Sequence, residues 1–286
     1  MSIANLIGKQ NRDGGWSYVR GGSWTEPTVY AILALLSAGE TGPAQHGVAW
    51  LRSIARRDGG WPPCRGVDQS TWVTGLVALL GPETMGATAH RRAISWLLAT
   101  TGEESTKMYR LREWLLGNSP NMRIAEPPGW PWVPGTAAWV GPTSIAILAL
   151  EKEDRRQPSS EIRDRIDAGR QFLLGRACEG GGWNHGSSRP LGYPCEPYPE
   201  TTGLALAALH GVRTPRVDLA LRVAQRFLTD CRSADALNWL RLGLRAHGQL
   251  PPGYCTPPTV EFRTTSETSL DLVMTAAERG RDCFWG

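Results

Sequence analysis

Carboxylates recur at one kind of position along the chain. Glu26, Asp68, Glu200 and Glu267 each stand at the start of an apolar run of helical length, and a hydroxyl residue follows within two positions (Thr28, Ser70, Thr201 and Thr268). Gly141 and Thr143 open a fifth such run without the acid. One acid at a helix start caps free N–H groups and balances the helix dipole. Capping does not explain several acids on one rim. A carboxyl group kept protonated and tuned by a neighbour is a general acid, which makes Glu200, Asp68 and Glu26 the candidate catalytic residues. Aromatic faces stabilise positive charge, and Trp24, Trp72, Trp139 and Tyr198 stand in or just before the same helix starts. These four and Glu267 are the candidate substrate-binding residues. Trp16, Trp61 and Trp183 read instead as residues that seal loops.

The elements that must position these groups alternate in polarity. Residues 26–36, 68–80, 141–150 and 200–209 are apolar nearly all round and predict fully buried helices. Residues 44–56, 90–101, 160–175 and 217–230 are amphipathic and predict helices with one wet face. Short helices at 2–10, 233–246 and 265–279 complete the series. Residues 103–140 are the least regular, with a helix near 106–117 and the Pro/Trp-rich loop 126–134. Gly (33) and Pro (21) fall between these segments, as stiff connections do, rather than inside them. Buried and half-wet helices in alternation have one simple packing solution, an inner ring walled by an outer ring. The expected fold is all-α, a single α/α toroid of roughly ten to twelve helices over residues 1–286, with the inner-helix N-termini at one mouth of a central hollow. Almost no stretch alternates with period two, so a sheet is not expected.

Bulk properties exclude several classes. The net charge is only +4 and the Arg residues are scattered, so no basic stripe suits nucleic acid. The six Cys make no CxxC pair and no short metal-ligand spacing, which fits free thiols in a reducing cytoplasm. No cofactor or metal is expected, although His185 lies between Cys178 and Cys195. The first residues show no signal peptide, and no apolar run reaches membrane-spanning length.

A helix end, a glycine stop and a tryptophan form a repeat: Gln10 to Trp16, Trp50-Leu51 to Gly59-Gly60-Trp61, and Phe172-Leu173 to Gly181-Gly182-Trp183. Copies after residues 97 and 228 read as having lost the Gly-x-Trp. The frame resembles the QW motif of the squalene–hopene cyclase family of triterpene cyclases. Gln10 and Trp16 match that family's Gln and Trp, while Ala55 and Ala177 replace the Gln in the later copies. The resemblance implies a terpene cyclase-like protein that holds an isoprenoid or other apolar substrate in the central cavity, with acid-initiated cyclisation or isomerisation. It also implies a place for the acid. The family's Asp-rich segment starts an inner helix; Glu200 stands at its last Asp, and Asp68 at its proton-donating Asp. Triterpene cyclases resemble two toroids and this chain one, which implies a smaller substrate, a second copy or a partner chain. Peripheral contact with a membrane is a further expectation. Alternatives on the same architecture are a non-catalytic binding scaffold, a zinc prenyltransferase, and a polysaccharide lyase using Arg65 and Asp68 after Gly59-Gly60-Trp61-Pro62.

Overall fold

A computed structural model describes residues 2–106, 116, 127–186, 195–281 and 283–284. The helix expected near 106–117 falls almost wholly outside the described residues. Twelve α-helices are present among the described residues: α1 (Ile3–Gly8), α2 (Thr25–Ala38), α3 (Thr41–Ser53), α4 (Val73–Leu79), α5 (Gly81–Met85), α6 (Ala87–Ala99), α7 (Val140–Arg156), α8 (Ser160–Arg176), α9 (Pro199–Ala208), α10 (Pro215–Asp230), α11 (Ala234–Ala246) and α12 (Thr265–Glu278).

Packing closes a ring. α2 packs on α4 and α12, α4 on α7, α7 on α9, α9 on α11, and α11 on α12. The outer helices lie against this ring: α1 on α2 and α12, α3 on α2, α6 on α4, α8 on α7, and α10 on α9 and α11. The polarity of the segments explains the assignment. α2, α4 and α9 bury nearly every residue, whereas α3, α6 and α10 bury one stripe. The fold is the expected all-α toroid.

The repeat has a physical cause. In each unit the tryptophan's indole N–H donates to a leucine carbonyl at the end of an outer helix, and its backbone N–H donates to a threonine hydroxyl in the next inner helix. Trp16 joins Leu6 O (2.9 Å) to Thr28 (2.9 Å). Trp61 joins Leu51 O (2.9 Å) to Thr74 (2.9 Å). Trp183 joins Leu173 O (2.7 Å) to Thr202 (3.0 Å). All three indoles are buried, and a lost buried partner costs about 1–3 kcal/mol. The glycine pair is required by the same geometry. Gly59 has φ +95°, and a Cβ on Gly60 would fall 2.5 Å from the Ser70 side chain.

The structure corrects the reading of the copy after residue 97. Trp130 donates to Leu97 O (2.9 Å), and its backbone N–H donates to Thr143 Oγ1 (2.9 Å). The staple is intact, but 33 residues separate donor and acceptor where the other copies have 10. A second correction concerns residues 68–80. The chain through Ser70 is held outside the helix by Ser70 Oγ donating to Asp58 and by Thr71 N–H donating to Trp61 O, so α4 begins only at Val73.

Candidate active site

Four acids occupy first turns of inner helices: Glu26 in α2, Glu200 in α9, Asp235 in α11 and Glu267 in α12. They converge at one mouth of the ring, close enough that the charges of Glu200, Glu26 and Glu267 all act on Asp235. Glu26 is fixed by Tyr18, whose Oη donates to Glu26 Oε2 (2.5 Å). The Tyr18 ring leans on Trp24 at 5.7 Å, and its carbonyl accepts from Thr265 N–H (2.7 Å), tying the starts of α2 and α12 together.

Burial and neighbouring like charge raise the pKa of two of these acids. Burial, with Glu200, Glu26 and Glu267 adding like charge, pushes the Asp235 carboxyl up to about 8; the Trp239 indole N–H bonded to it pulls the other way. Burial also holds Glu26 above the ordinary carboxylate range, against the pull of the Tyr18 hydrogen bond and with the push of Glu200. Like charges crowded in a poorly solvated site cannot all ionise, so the mouth retains protons at neutral pH.

The sequence candidates divide. Glu26 and Glu200 belong to the acid group. Glu267 also reaches it, but its Oε2 accepts from the backbone N–H groups of Arg263 (2.6 Å) and Thr264 (2.8 Å) in a capping box that accounts for the residue structurally. Asp68 is not brought to the mouth. Its side chain is 96% exposed and pairs with Arg56, which holds the carboxyl below its usual range. It borders a depression of about 570 Å³ that also takes in Arg65. Its distance from the helix start explains the displacement: the loop tied down at Ser70 carries Asp68 away from α4. Asp235 was missed, although the same signal marks it, an acid in the first turn of a helix (after Ser233, which caps Ala236 N–H) that is buried almost throughout.

Aromatic rings surround the mouth. Trp24, Trp139 and Tyr198 directly precede α2, α7 and α9, and all three are exposed, Tyr198 by 48%. Tyr198 faces His185 at 5.1 Å, and Trp72 meets Trp132 edge-on at 4.8 Å ahead of α4. Below the acids the lumen is filled with rings. Trp239, one turn down α11 from Asp235, meets Tyr30 of α2 edge-on at 6.2 Å and Phe284 at 6.2 Å. All three are buried.

The Cys178 thiol is pushed up to about 12 by burial and its bond to Cys195, opposite to the direction a thiolate ligand needs. Among the described residues no three His, Cys, Asp or Glu side chains are arranged to hold a metal ion, and no helix is long and apolar enough to cross a membrane.

No protein-family model and no curated protein matches the chain. Solved structures match its fold at low identity. An endo-β-1,4-glucanase of glycoside hydrolase family 8 from an Achatina fulica gut metagenomic library is 13% identical, with a TM-score of 0.62 over 97% of this chain and 98% of the glucanase. The endo-β-1,4-glucanase CMCax of Acetobacter xylinum is 14% identical, with a TM-score of 0.58 over 98% and 97%. The type II terpene cyclase MstE of Scytonema is 16% identical, with a TM-score of 0.54 over 94% of this chain and 75% of the cyclase; a variant of it is solved with its substrate, geranylgeranyl dihydroxybenzoate. At these identities the likeness establishes a shared α/α toroid, the architecture that terpene cyclases and family 8 glucanases have in common with this chain.

Proposed function

We propose that the chain is a terpene cyclase-like protein that receives an isoprenoid at the acidic mouth and starts cyclisation or isomerisation by general-acid catalysis from Asp235. The observation that carries this reading is a buried acid group set one helical turn above a column of aromatic rings, Asp235 above Trp239 and Tyr30. A carboxyl group with a pKa of about 8 is too weak to protonate an unactivated alkene, but is suited to an oxygen that becomes basic as its bond to carbon breaks. The substrate is therefore an isoprenoid epoxide or an oxygenated allylic compound. The proton passes to that oxygen, the C–O bond breaks with its electron pair staying on oxygen, and the cation left on carbon is stabilised by aromatic faces. Burial first, and the like charge of the neighbouring acids second, keep the proton on Asp235.

A second reading is favoured by the open form of the mouth. Exposed Trp24, Trp139 and Tyr198 beside paired carboxyl groups suit a sugar chain, and the same proton given to a glycosidic oxygen begins its hydrolysis. The two glucanases that span nearly the whole chain support this alternative.

One experiment separates the readings. The protein is incubated with epoxide-bearing and allylic isoprenoids and, in parallel, with β-1,4-gluco-oligosaccharides, and products are followed by mass spectrometry for the unmodified chain and Asp235→Asn. Isoprenoid products lost in the variant support the first reading. Oligosaccharide cleavage lost in the variant replaces it with the second. Turnover unaffected by the variant removes Asp235 as the acid, and no turnover of either class supports the scaffold.

A further inference from the structure

The lumen is closed from the face opposite the acids by the segment that carries Cys283 and Phe284. Phe284 is 1% exposed and meets Trp239 midway down the ring. The segment is held by two long cations at the C-terminal end of α7. Lys152 Nζ donates to Cys283 O and to Leu79 O at the end of α4 (both 2.9 Å), and Arg155 Nη2 donates to Phe284 O (3.4 Å). The result is one column along the ring: acid group, Trp239 with Tyr30, Phe284, and the cationic tethers.

We propose that the space occupied by the Phe284 ring is a binding chamber for an apolar chain, and that Phe284 is a displaceable plug standing in for that chain. Three features point this way. The plug stands beyond the end of α12 rather than inside a ring helix, so its ring can leave without unwinding a helix of the ring. Its tethers are side chain to backbone bonds, which water replaces at small net cost. The walls of the chamber, Trp239 and Tyr30, are the rings that lead to Asp235, so a chain seated there brings its upper end to the acids. Displacement exchanges one apolar ring for another apolar group, so buried apolar area is nearly conserved and the exchange is set by the ligand's length and concentration. The orientation of the chain rests on the mouth chemistry proposed above. The chamber itself is read by binding without turnover, so the two ideas fail separately.

The test uses the full chain and farnesol as the probe, with saturable binding measured by calorimetry and alkylation of Cys283 followed by peptide mass spectrometry. Saturating farnesol should raise alkylation of Cys283 at least five-fold in the unmodified chain. Phe284→Ala should bind farnesol at least ten-fold more tightly, and Phe284→Trp at least ten-fold more weakly. The double variant Lys152→Met, Arg155→Met changes no apolar residue of the ring, and should raise both farnesol affinity and basal Cys283 alkylation even where Phe284→Ala fails to fold; circular dichroism checks that the loss of the Lys152 bond to Leu79 O leaves the helices in place. Absence of saturable binding in the tether variant overturns the chamber. Equal affinity in all folded variants, with Cys283 alkylation unchanged by farnesol, overturns the plug. Farnesol binding by an unmodified chain that turns over no isoprenoid overturns the mouth chemistry and leaves the chamber standing.

Discussion

Asp235 and Trp239 lie one helical turn apart on α11, close enough that the indole of the second pulls down the pKa of the carboxyl group of the first. The proton donor and the first ring of the lumen are thereby held in fixed register by a single helix. Asp235→Asn keeps the shape and the neutral state but cannot give up a proton. It should lower turnover of an accepted substrate by about 10²–10⁴-fold, with the fold retained by circular dichroism. A variant within a factor of three of the unmodified chain rules out the assignment.

The same carboxyl sets a pH dependence of stability. Its pKa rises from 3.8 unfolded to about 8 folded, so the native state binds one proton more than the unfolded state between those values. Stability is greatest below pH 4 for this group and falls with rising pH, by at most about 1.4 kcal/mol per pH unit, until pH 8. Glu26 shifts in the same direction. Glu151, raised by burial to about 7 despite Arg170, adds a slope that ends near pH 7. Denaturant midpoints between pH 7 and 8 therefore isolate the mouth. They should fall across that interval in the unmodified chain and fall less steeply in Asp235→Asn; a slope of equal size in both shows that other groups cause it.

The ring was legible in the sequence because polarity alternates from one helix to the next, and burial is what polarity encodes. The tryptophan staples were legible where helix and tryptophan are ten residues apart. The Trp130 copy was not, because the hydrogen bond depends on position in space while the motif is recognised by spacing along the chain. The positions of Glu26 and Glu200 at the mouth were legible because a helix start gives an acid a definite direction. Asp68 misled for the complementary reason: the residues after it satisfy Asp58 and Trp61 first, and the helix starts later. Asp235 was overlooked because α11 carries Asn and Arg residues that hide its burial: Asn238 and Arg241 are buried against α12, where they bond Glu267 O, Asp271 and Glu278.

Asp68 supplies a contrasting prediction. An exposed carboxylate paired with one arginine contributes little to stability. Asp68→Asn should leave both the thermal midpoint and any turnover within experimental error. A large loss of turnover would place the chemistry in the depression beside Arg56 and Arg65 instead of at the mouth.

The staple at Trp130 should be as costly to remove as its shorter counterparts, since the bonds are the same. Trp130→Phe leaves Leu97 O without its donor in the core and shrinks the ring face over which the Arg165 guanidinium stacks, 3.3 Å from the ring centroid. The expected loss is about 1–3 kcal/mol for the unpaired carbonyl, and more with the packing. Trp183→Phe should cost a similar amount at Leu173 O. Urea midpoints measured side by side decide the point; a silent Trp130 variant beside a damaging Trp183 variant would mean that the long connection has made this copy dispensable.

The tightest constraint on the ring lies where α9 crosses α11. A Cβ on Gly203 would stand 2.3 Å from the backbone carbonyl carbon of Trp239, and one on Gly243 would stand 2.3 Å from Gly203 O. Backbone cannot yield as a side-chain tip can, so Gly203→Ala must push the two helices apart. That moves Asp235 and Trp239 relative to Glu200, because the three residues are carried by these two helices. Gly175, on the outer helix α8, faces open space at a Cβ position, and alanine there should be neutral or stabilising by about 0.5–1 kcal/mol. Gly203→Ala is expected to lose several kcal/mol or to express as insoluble protein, the usual result of overpacking against fixed atoms. Soluble Gly203→Ala with the midpoint of the unmodified chain would show that α9 and α11 are free to separate, and with that freedom the fixed geometry required of the acid group would be lost.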